Sequence, residues 1–451
     1  MANVIKLRKG LDINLAGKAG LELKPLPLPP EIGLLPSAFV GVTPKLTVRE
    51  GDHVQAGQPL FVNKACPEVK FASPVSGTVS AIVRGDRRKV LCVKVKADVQ
   101  QEYADFGTKD VSKLGASDVT EALLQAGLFG YIDQLPYAVS TTPDTHPKAI
   151  FVSALRDMPL AADFGFELQG DEAAFQTGLT ALSKVAPTYL GLGKGQAQNK
   201  TLAEASDVEV NVFDGPCPAG NVDVQVNHIS PVNKGEVVWT VDPTAVIFFG
   251  RLFLTGHVDL RRKVAVAGSQ IEHPEYVQTV VGAPLSQILE GRLKAHDHVR
   301  VIDGNPLTGR KASADDYLSA HTSEVTAIPE GDDVNELLGW IAPRTRQFSV
   351  SRSYFSWLFG KHRSYDLDAR VKGSERHMIM SGEYDRVLPM DIYAGYLVKA
   401  IIAGDIDRQE ALGIYEVGPQ DFALAEFVDS SKLPLQHIVR EGLNKLRKEN
   451  A

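Results

Sequence analysis

The sequence predicts a multidomain α/β protein, and three observations carry that prediction. Between Gly41 and Val95 short β-prone runs are separated by tight turns. From Val119 to Gly193 helical and strand patterns alternate, as in layered α/β units. From Arg261 to Ala312 strands return around glycine turns, and the C-terminal stretch then reads as mainly helical. A chain of 451 residues has room for roughly three or four domains of ~100–150 residues. The expected divisions are an N-terminal segment at 1–32, a small barrel at 33–100, an α/β unit at 101–255, a further β unit at 256–330 and a mainly helical domain at 331–451.

Within the barrel stretch, "VREGDHVQAGQPLF" sets Gly51-Asp52 and Gly57-Gln58-Pro59 at turns between half-buried strands. "SPVSGTVSAIV" repeats the pattern around Pro74 and Gly77. The two pieces look like the halves of a biotinyl/lipoyl-type barrel-sandwich hybrid, joined through "FVNKACPEVKFASPVSGTV". A swinging-arm carrier holds its modified lysine at that hairpin tip. Lys64 stands there, but two residues from the carrier register, which falls on Cys66. No acidic residue precedes it and no methionines flank it. Lys64 is therefore expected to be unmodified and the barrel structural, which opposes a lipoyl- or biotin-dependent carrier enzyme.

The α/β unit opens with "VTEALLQAGLFGYIDQLPYAV", where Leu123, Leu124 and Leu128 lie on one face of an amphipathic helix. A buried strand, Ala149 to Leu155, then helical "DEAAFQTGLTALSKV" and strand-like "PTYLGLG" follow, giving a Rossmann-like order. Gly191, Gly193 and Gly195 in "GLGKGQAQNK" have the spacing G-x-G-x-G rather than G-x-G-x-x-G, and polar residues follow, so a plain turn is expected over a nucleotide loop. "FDGPCPAGNVDVQVNHI", Phe213 to Ile229, reads as a rigid, turn-rich connection.

Composition limits the functional classes. The formal net charge of −7 excludes a global attraction to nucleic acid or anionic lipid. Cys66, Cys92 and Cys217 are too far apart for a zinc or iron–sulfur motif, and His228 has no metal-spaced partner, so no metal site is expected. An odd, sparse cysteine count fits a reducing compartment. The N-terminus lacks the apolar core of a signal peptide. The apolar run "AVIFFGRLFLTG", Ala245 to Gly256, falls short of the ~20 residues that span a bilayer, and Arg251 interrupts it.

In the third unit the strand "KVAVAG" precedes a turn, a second apolar strand and a helix, and "DHVRVIDGNPLTGRKA" adds another strand and a glycine turn. This looks like a β-grasp, SLBB-like domain. With "IKLRKGLDINLAG", "FASPVSGTV", "RVIDGNPLTGRKA" and "ERHMIMSGEYDRVLPMDIYAGYLVKAIIAGDID", the order of units resembles the A-subunit family of sodium-translocating NADH:quinone oxidoreductases. The likeness covers essentially the whole chain. More distantly the order is similar to the C subunit of the Rnf complex and, without the barrel, to the flavin subunit of respiratory complex I.

The resemblance implies a peripheral subunit of a respiratory complex that oxidises NADH, reduces a quinone and exports sodium. It implies a place on the cytoplasmic face of the bacterial inner membrane, against a membrane subunit. The distant relatives carry a "GRGGAGFP"-like loop that lets backbone amides approach a flavin phosphate. Here "GLFGYIDQLPY" puts Tyr131, Ile132, Asp133, Gln134 and Leu135 in that region, and Asp133 would repel a phosphate. The cysteine motifs of the same relatives are missing from "FVDSSKLPLQHIVREGL". The expected subunit therefore binds no cofactor of its own, with NADH and flavins held by other subunits, and no catalytic residue is assigned. The alternative is an Rnf-like electron-transfer subunit with its own flavin, which the missing loop and cysteines oppose.

Two sets of residues are candidates for contacts. A loop that has lost its flavin leaves apolar and aromatic walls that suit a quinone. Phe129, Tyr131, Leu135 and Tyr137, with Leu34, Leu35 and Phe39 of "GLLPSAF", are the quinone-proximal candidates. The plainer alternative is that they fill the vacated space. From Arg344 to Arg376 eight Lys/Arg face three Asp/Glu, and "SRSYFSWLFGKHRSYD" crowds aromatic residues among the cations. Arg352, Tyr354, Phe355, Trp357, Phe359 and Lys361 are the candidates for a partner contact, against a helix buried on the neighbouring β unit.

Overall fold

In the computed structural model, residues 3–334, 341–359, 363–378 and 382–450 are described. The largest sheet has seven strands, in the order Asn3–Lys6, Glu209–Asp214, Thr188–Gly193, Ala149–Ser153, Val238–Val241, Ile132–Leu135 and Val139–Ser140. The first five run parallel and the last two are antiparallel. Helices cover the sheet, as a parallel sheet requires. A six-stranded sheet runs Arg310–Ala312, Val299–Asp303, Glu324–Pro329, Arg261–Ala267, Glu275–Val280 and Leu23–Pro25. A four-stranded and a three-stranded sheet, made by residues 31–97, form the β unit that precedes the seven-stranded sheet.

The N-terminal segment is shared among these units. Asn3–Lys6 is the edge of the seven-stranded sheet, Leu23–Pro25 the edge of the six-stranded sheet and Glu31–Leu34 the edge of the four-stranded one. One short stretch of chain therefore joins three sheets through backbone hydrogen bonds.

The apolar run around Arg251 is a buried helix, Pro243–Thr255. It crosses helix Glu172–Val185 at glycines on both sides. A Cβ at Gly250 would lie 1.7 Å from the Ala174 carbonyl oxygen, and one at Gly178 would lie 2.1 Å from that of Val246. Two helices come this close only where side chains are missing. Arg251 points off the contact to Asp171, 2.8 Å away. No helix among the described residues is long and apolar enough to cross a membrane.

Two local expectations change. Gly191 and Gly193 are not in a turn but end the strand Thr188–Gly193. A Cβ at Gly191 would sit 1.9 Å from Gln225 Oε1, so the glycine admits a packed side chain from a neighbouring helix. That helix, Val222–Ile229, occupies part of the stretch expected to be connection. The Pro216–Pro218 turn stops the preceding strand, and the segment beyond it is free to wind and bury Val224 and Val226. His228 there bonds the Val224 carbonyl through Nδ1, 2.9 Å away.

Beyond residue 382 the described chain is helical. Helices Ala394–Ala403 and Ile406–Ala411 end at Gly404 and before Gly413, with φ of 72° and 100°. These left-handed conformations suit glycine. Their core, with Leu397, Phe422, Val439 and Leu443, continues into Leu7, Ile13 and Phe213 of the N-terminal segment and the α/β unit.

Candidate functional site: a filled loop where four units meet

The stretch from Gly127 to Ser140 follows helix Ala116–Gln125 and forms the outer antiparallel pair of the seven-stranded sheet. Its glycines serve packing. A Cβ at Gly127 would lie 2.9 Å from Ala72 N, and one at Gly130 would lie 2.3 Å from Phe71 Cε1, both on the barrel. Four of the loop amides are already used. Gly127, Leu128, Tyr131 and Ile132 donate to the carbonyls of Leu124, Leu123, Leu128 and Phe129 respectively. Burial pushes the Asp133 carboxyl up, against the pull of His321 and Arg440.

The quinone-proximal candidates fall into several places. Phe39 meets Tyr131 edge-on at 5.2 Å and packs on Phe71 at 4.4 Å. Phe129 meets Trp239 edge-on at 5.5 Å. These three and Leu34 are buried in the main core. Leu35 lies in a separate small cluster with Cys92 and Tyr317, and Leu135 packs with Phe151 and Val238. Tyr137 is only partly buried, and its hydroxyl accepts from Asn450 Nδ2 at 3.2 Å.

His321 was not marked by the sequence, yet it stands 5.5 Å from the Phe39 ring and 5.4 Å from that of Tyr131. A lone histidine in "SAHTSE" carries no pattern that would have found it. The C-terminal helix Leu435–Glu449 closes the far side of the loop. Its Arg440 donates to the Tyr137 and Ala138 carbonyls at 2.9 and 3.0 Å, across residues held at φ of 86° and 46°.

Beneath the loop lies a buried charge network between the α/β unit and the six-stranded sheet. Arg156 donates to Glu167 Oε1 at 2.6 Å and to both Asp242 oxygens at 3.1 and 3.2 Å. Thr244 bridges, accepting from Arg156 at 3.0 Å and donating to Glu167 Oε2 at 3.1 Å. Arg262 donates to the Ala320 carbonyl and Ser323 Oγ at 2.7 and 2.9 Å. Burial pushes Glu167 up to about 7 in spite of Arg156, and it pushes Glu324 up as well. Burial also opposes ionisation of Asp242, but Arg156 and Arg262 outweigh it and hold that carboxyl below its ordinary range. These hydrogen bonds lie within each unit; what crosses between the units, and makes the network an interdomain clamp, is Glu324 accepting from Ala162 N at 3.3 Å and the attraction of Arg262 for Glu167 and Asp242.

Other groups lie apart from the loop. A cavity of about 480 Å³ opens between Leu21, Phe166, Arg251 and Lys263. His298, Asp332 and Asp333 are exposed and close enough to share an ion, with His298 Nδ1 paired to Asp332 at 2.8 Å. Of the partner-contact candidates, Phe355, Trp357 and Phe359 lie in a short 3-10 turn, Phe355–Phe359, on the surface. Phe355, Trp357 and Phe359 are 55%, 46% and 60% exposed. Guanidinium groups lie over the rings, Arg352 on Trp357 at 5.5 Å, Arg344 on Tyr354 at 5.4 Å and Arg363 on Phe359 at 5.4 Å. Lys361 lies outside the described residues.

Several α/β and β units packed around one filled junction define a multidomain α/β protein. Family profiles match it in three parts: an NqrA N-terminal barrel-sandwich hybrid domain at 5–98, an NqrA second alpha/beta domain at 114–258 and an NQRA C-terminal domain at 263–314. The A subunit of the Na(+)-translocating NADH-quinone reductase of Serratia proteamaculans is 36% identical over 99% of this chain and all of its own length. The proteins of the same name from Yersinia pestis and Neisseria meningitidis are 34% and 35% identical, again over 99% of this chain and 100% of theirs. An NAD+-reducing [NiFe]-hydrogenase structure covers 75% of this chain and 64% of its own, at 11% identity and a TM-score of 0.37, below the level that establishes a common fold. The chain belongs to the family of Na(+)-translocating NADH-quinone reductase A subunits.

The clamp is open to a direct test. Arg156→Met keeps an unbranched side chain but removes the guanidinium bonded to Glu167 and Asp242, leaving Arg262 as the remaining cation near them. The expected loss is ~3–5 kcal/mol of unfolding free energy, read by urea denaturation at neutral pH. An unchanged midpoint would show that the Arg156 part of the network adds nothing to stability.

Proposed function

We propose that this chain is the peripheral scaffold of a Na+-translocating NADH-quinone reductase, docked on its membrane part and holding no flavin. As a member of the A-subunit family it is one component of a respiratory oxidoreductase that couples NADH oxidation and quinone reduction to sodium transport. In this reading NADH and the flavins belong to other subunits, and the isolated chain does not catalyse. It sits on the cytoplasmic face of the bacterial inner membrane. The seven-stranded sheet is a degenerate, Rossmann-like flavin unit, the six-stranded sheet a β-grasp, SLBB-like unit, and the barrel of biotinyl/lipoyl type serves structure alone.

The observation that carries the docking role is the exposed Phe355–Phe359 turn with its stacked guanidinium groups. Large aromatic rings left in water, beside cations held in place, are the features of an interface centre. Arg352, Tyr354, Phe355, Trp357, Phe359 and Lys361 make the contact with a membrane subunit. Trp357→Ala combined with Phe359→Ala should weaken assembly by about thirtyfold, the equivalent of ~2 kcal/mol. The melting temperature of the isolated chain should stay unchanged. Normal assembly with a lowered melting temperature would return the segment to a packing role.

Quinone lies near the filled loop in the same reading. Leu34, Phe39, Phe129 and Tyr131 supply apolar and aromatic surface, Leu35, Leu135 and Tyr137 flank it, and tyrosine hydroxyls can donate to a quinone carbonyl. A photoreactive quinone added to the assembled complex should label 34–39 or 129–137. Labelling confined to other subunits would leave this chain as a cover over the site.

A further inference from the structure

Helix Val222–Ile229 of the α/β unit buries Asp223 in its first turn, and the turn Pro419–Phe422 of the C-terminal domain buries Asp421. Each is only 1% exposed. Crossed hydrogen bonds, Asn221 Nδ2 to Asp421 at 2.9 Å and Gln420 Nε2 to Asp223 at 2.5 Å, bring the two carboxyl groups together across the domain boundary. Two like charges held together out of water repel, so the pair keeps a proton on one of them.

The surrounding donors decide which one carries it. Asp421 accepts from Gly418 N at 2.8 Å and from Asn221 Nδ2 at 2.9 Å. Two donors suit an anion. Among the described residues Asp223 accepts from one donor, Gln420 Nε2, at 2.5 Å. Asp223 is therefore the acid that donates, and Asp421 the carboxylate that accepts. A Cβ at Gly418 would lie 2.5 Å from Asp223 Oδ2, so backbone closes on that oxygen where a cation would otherwise approach.

The other charged groups that face the pair are Asp133, on strand Ile132–Leu135, and Arg440, on helix Leu435–Glu449. Arg440 is also the residue that grips the Tyr137 and Ala138 carbonyls. We propose that Asp223 and Asp421 form a one-proton site that joins the C-terminal helices to the α/β unit, and that loss of this proton loosens the joint and frees the Tyr137–Ala138 turn. With the proton gone, two carboxylates in contact and Asp133 nearby face a single guanidinium. The repulsion acts on the surface where the two domains meet. None of this requires a quinone at the loop.

The direction with pH follows from which state holds the proton more tightly. Burial and the neighbouring Asp421 raise Asp223 well above its ordinary value, and burial pushes Asp421 up to about 6. An unfolded chain releases both protons near pH ~4. The stabilising effect is thus fully present below that pH and is lost as pH rises through the folded pair's range, beyond about 6.

Hydrogen–deuterium exchange on the intact chain reads this directly, once rates are corrected for the intrinsic effect of pH. Protection in 418–422 and 435–446 should fall by up to about tenfold per pH unit, the limit for one linked proton. In Asp223→Asn the amide still donates to Asp421 but carries no titrating proton, so protection should be flat across that range. An Asp223→Asn chain with the wild-type slope would overturn the proposal. Asp421→Asn gives a second readout if the first variant does not fold. It removes the like charge, so the pH window should move downward, and an unmoved window would overturn the proposal equally.

Discussion

Gly130 has no side chain, and the Phe71 ring occupies the place where one would be. The arrangement of the molecule follows from that contact. It seats the barrel on the loop after helix Ala116–Gln125, and Phe71 in turn stacks on Phe61 and packs on Phe39. Phe39 meets Tyr131 and His321, which brings in the chain entering strand Glu324–Pro329. Ser140 N donates to the Val40 carbonyl, and Arg440 caps the other end of the loop from the C-terminal helix. Glycines in such a loop can serve an anion or a neighbouring aromatic ring. Here the ring has the space, and the amides of Gly127, Leu128, Tyr131 and Ile132 are bonded within the chain.

A junction so closely packed must also hold its charges in place. Arg156 and Arg262 neutralise Asp242 out of water, and Glu167 and Glu324 are pushed toward the neutral form. A buried network of this kind adds little net stability over an apolar replacement, but it penalises any arrangement that separates the partners. It therefore fixes how the α/β unit meets the six-stranded sheet. The glycine crossing of Gly178 and Gly250 fixes the helix layer on the other side by the same logic, in backbone contact rather than charge.

Local pattern made the main helices and several strands legible. The leucine spacing marked helix Ala116–Gln125, and the helix-like run "DEAAFQTGLTALSKV" marked Glu172–Val185, while Gly404 and Gly413 lie at helix ends whose left-handed backbone favours glycine. What stayed hidden depends on partners far away in the chain. Nothing in "IKLRKGLDINLAG" says that the residues on either side of it join different sheets. Gly191 reads as a turn until Gln225, a residue of another element, is seen against it. Of the quinone-proximal candidates, Phe39 and Tyr131 meet at the junction, while Leu35 and Leu135 pack into other clusters. His321, Asp223 and Asp421 are single polar residues without a periodic signature, and only the folded chain gives them neighbours.

If the loop from Gly127 to Ile132 is the packed joint described, with Phe71 in the space beside Gly130, it leaves no room for a flavin phosphate. The visible absorption spectrum of the purified full-length chain, before and after incubation with excess FMN and removal of the free flavin, reads this directly. The expected result is a colourless protein in both cases. Flavin retained in equimolar amount, and lost when Gly130 is replaced by alanine, would contradict it.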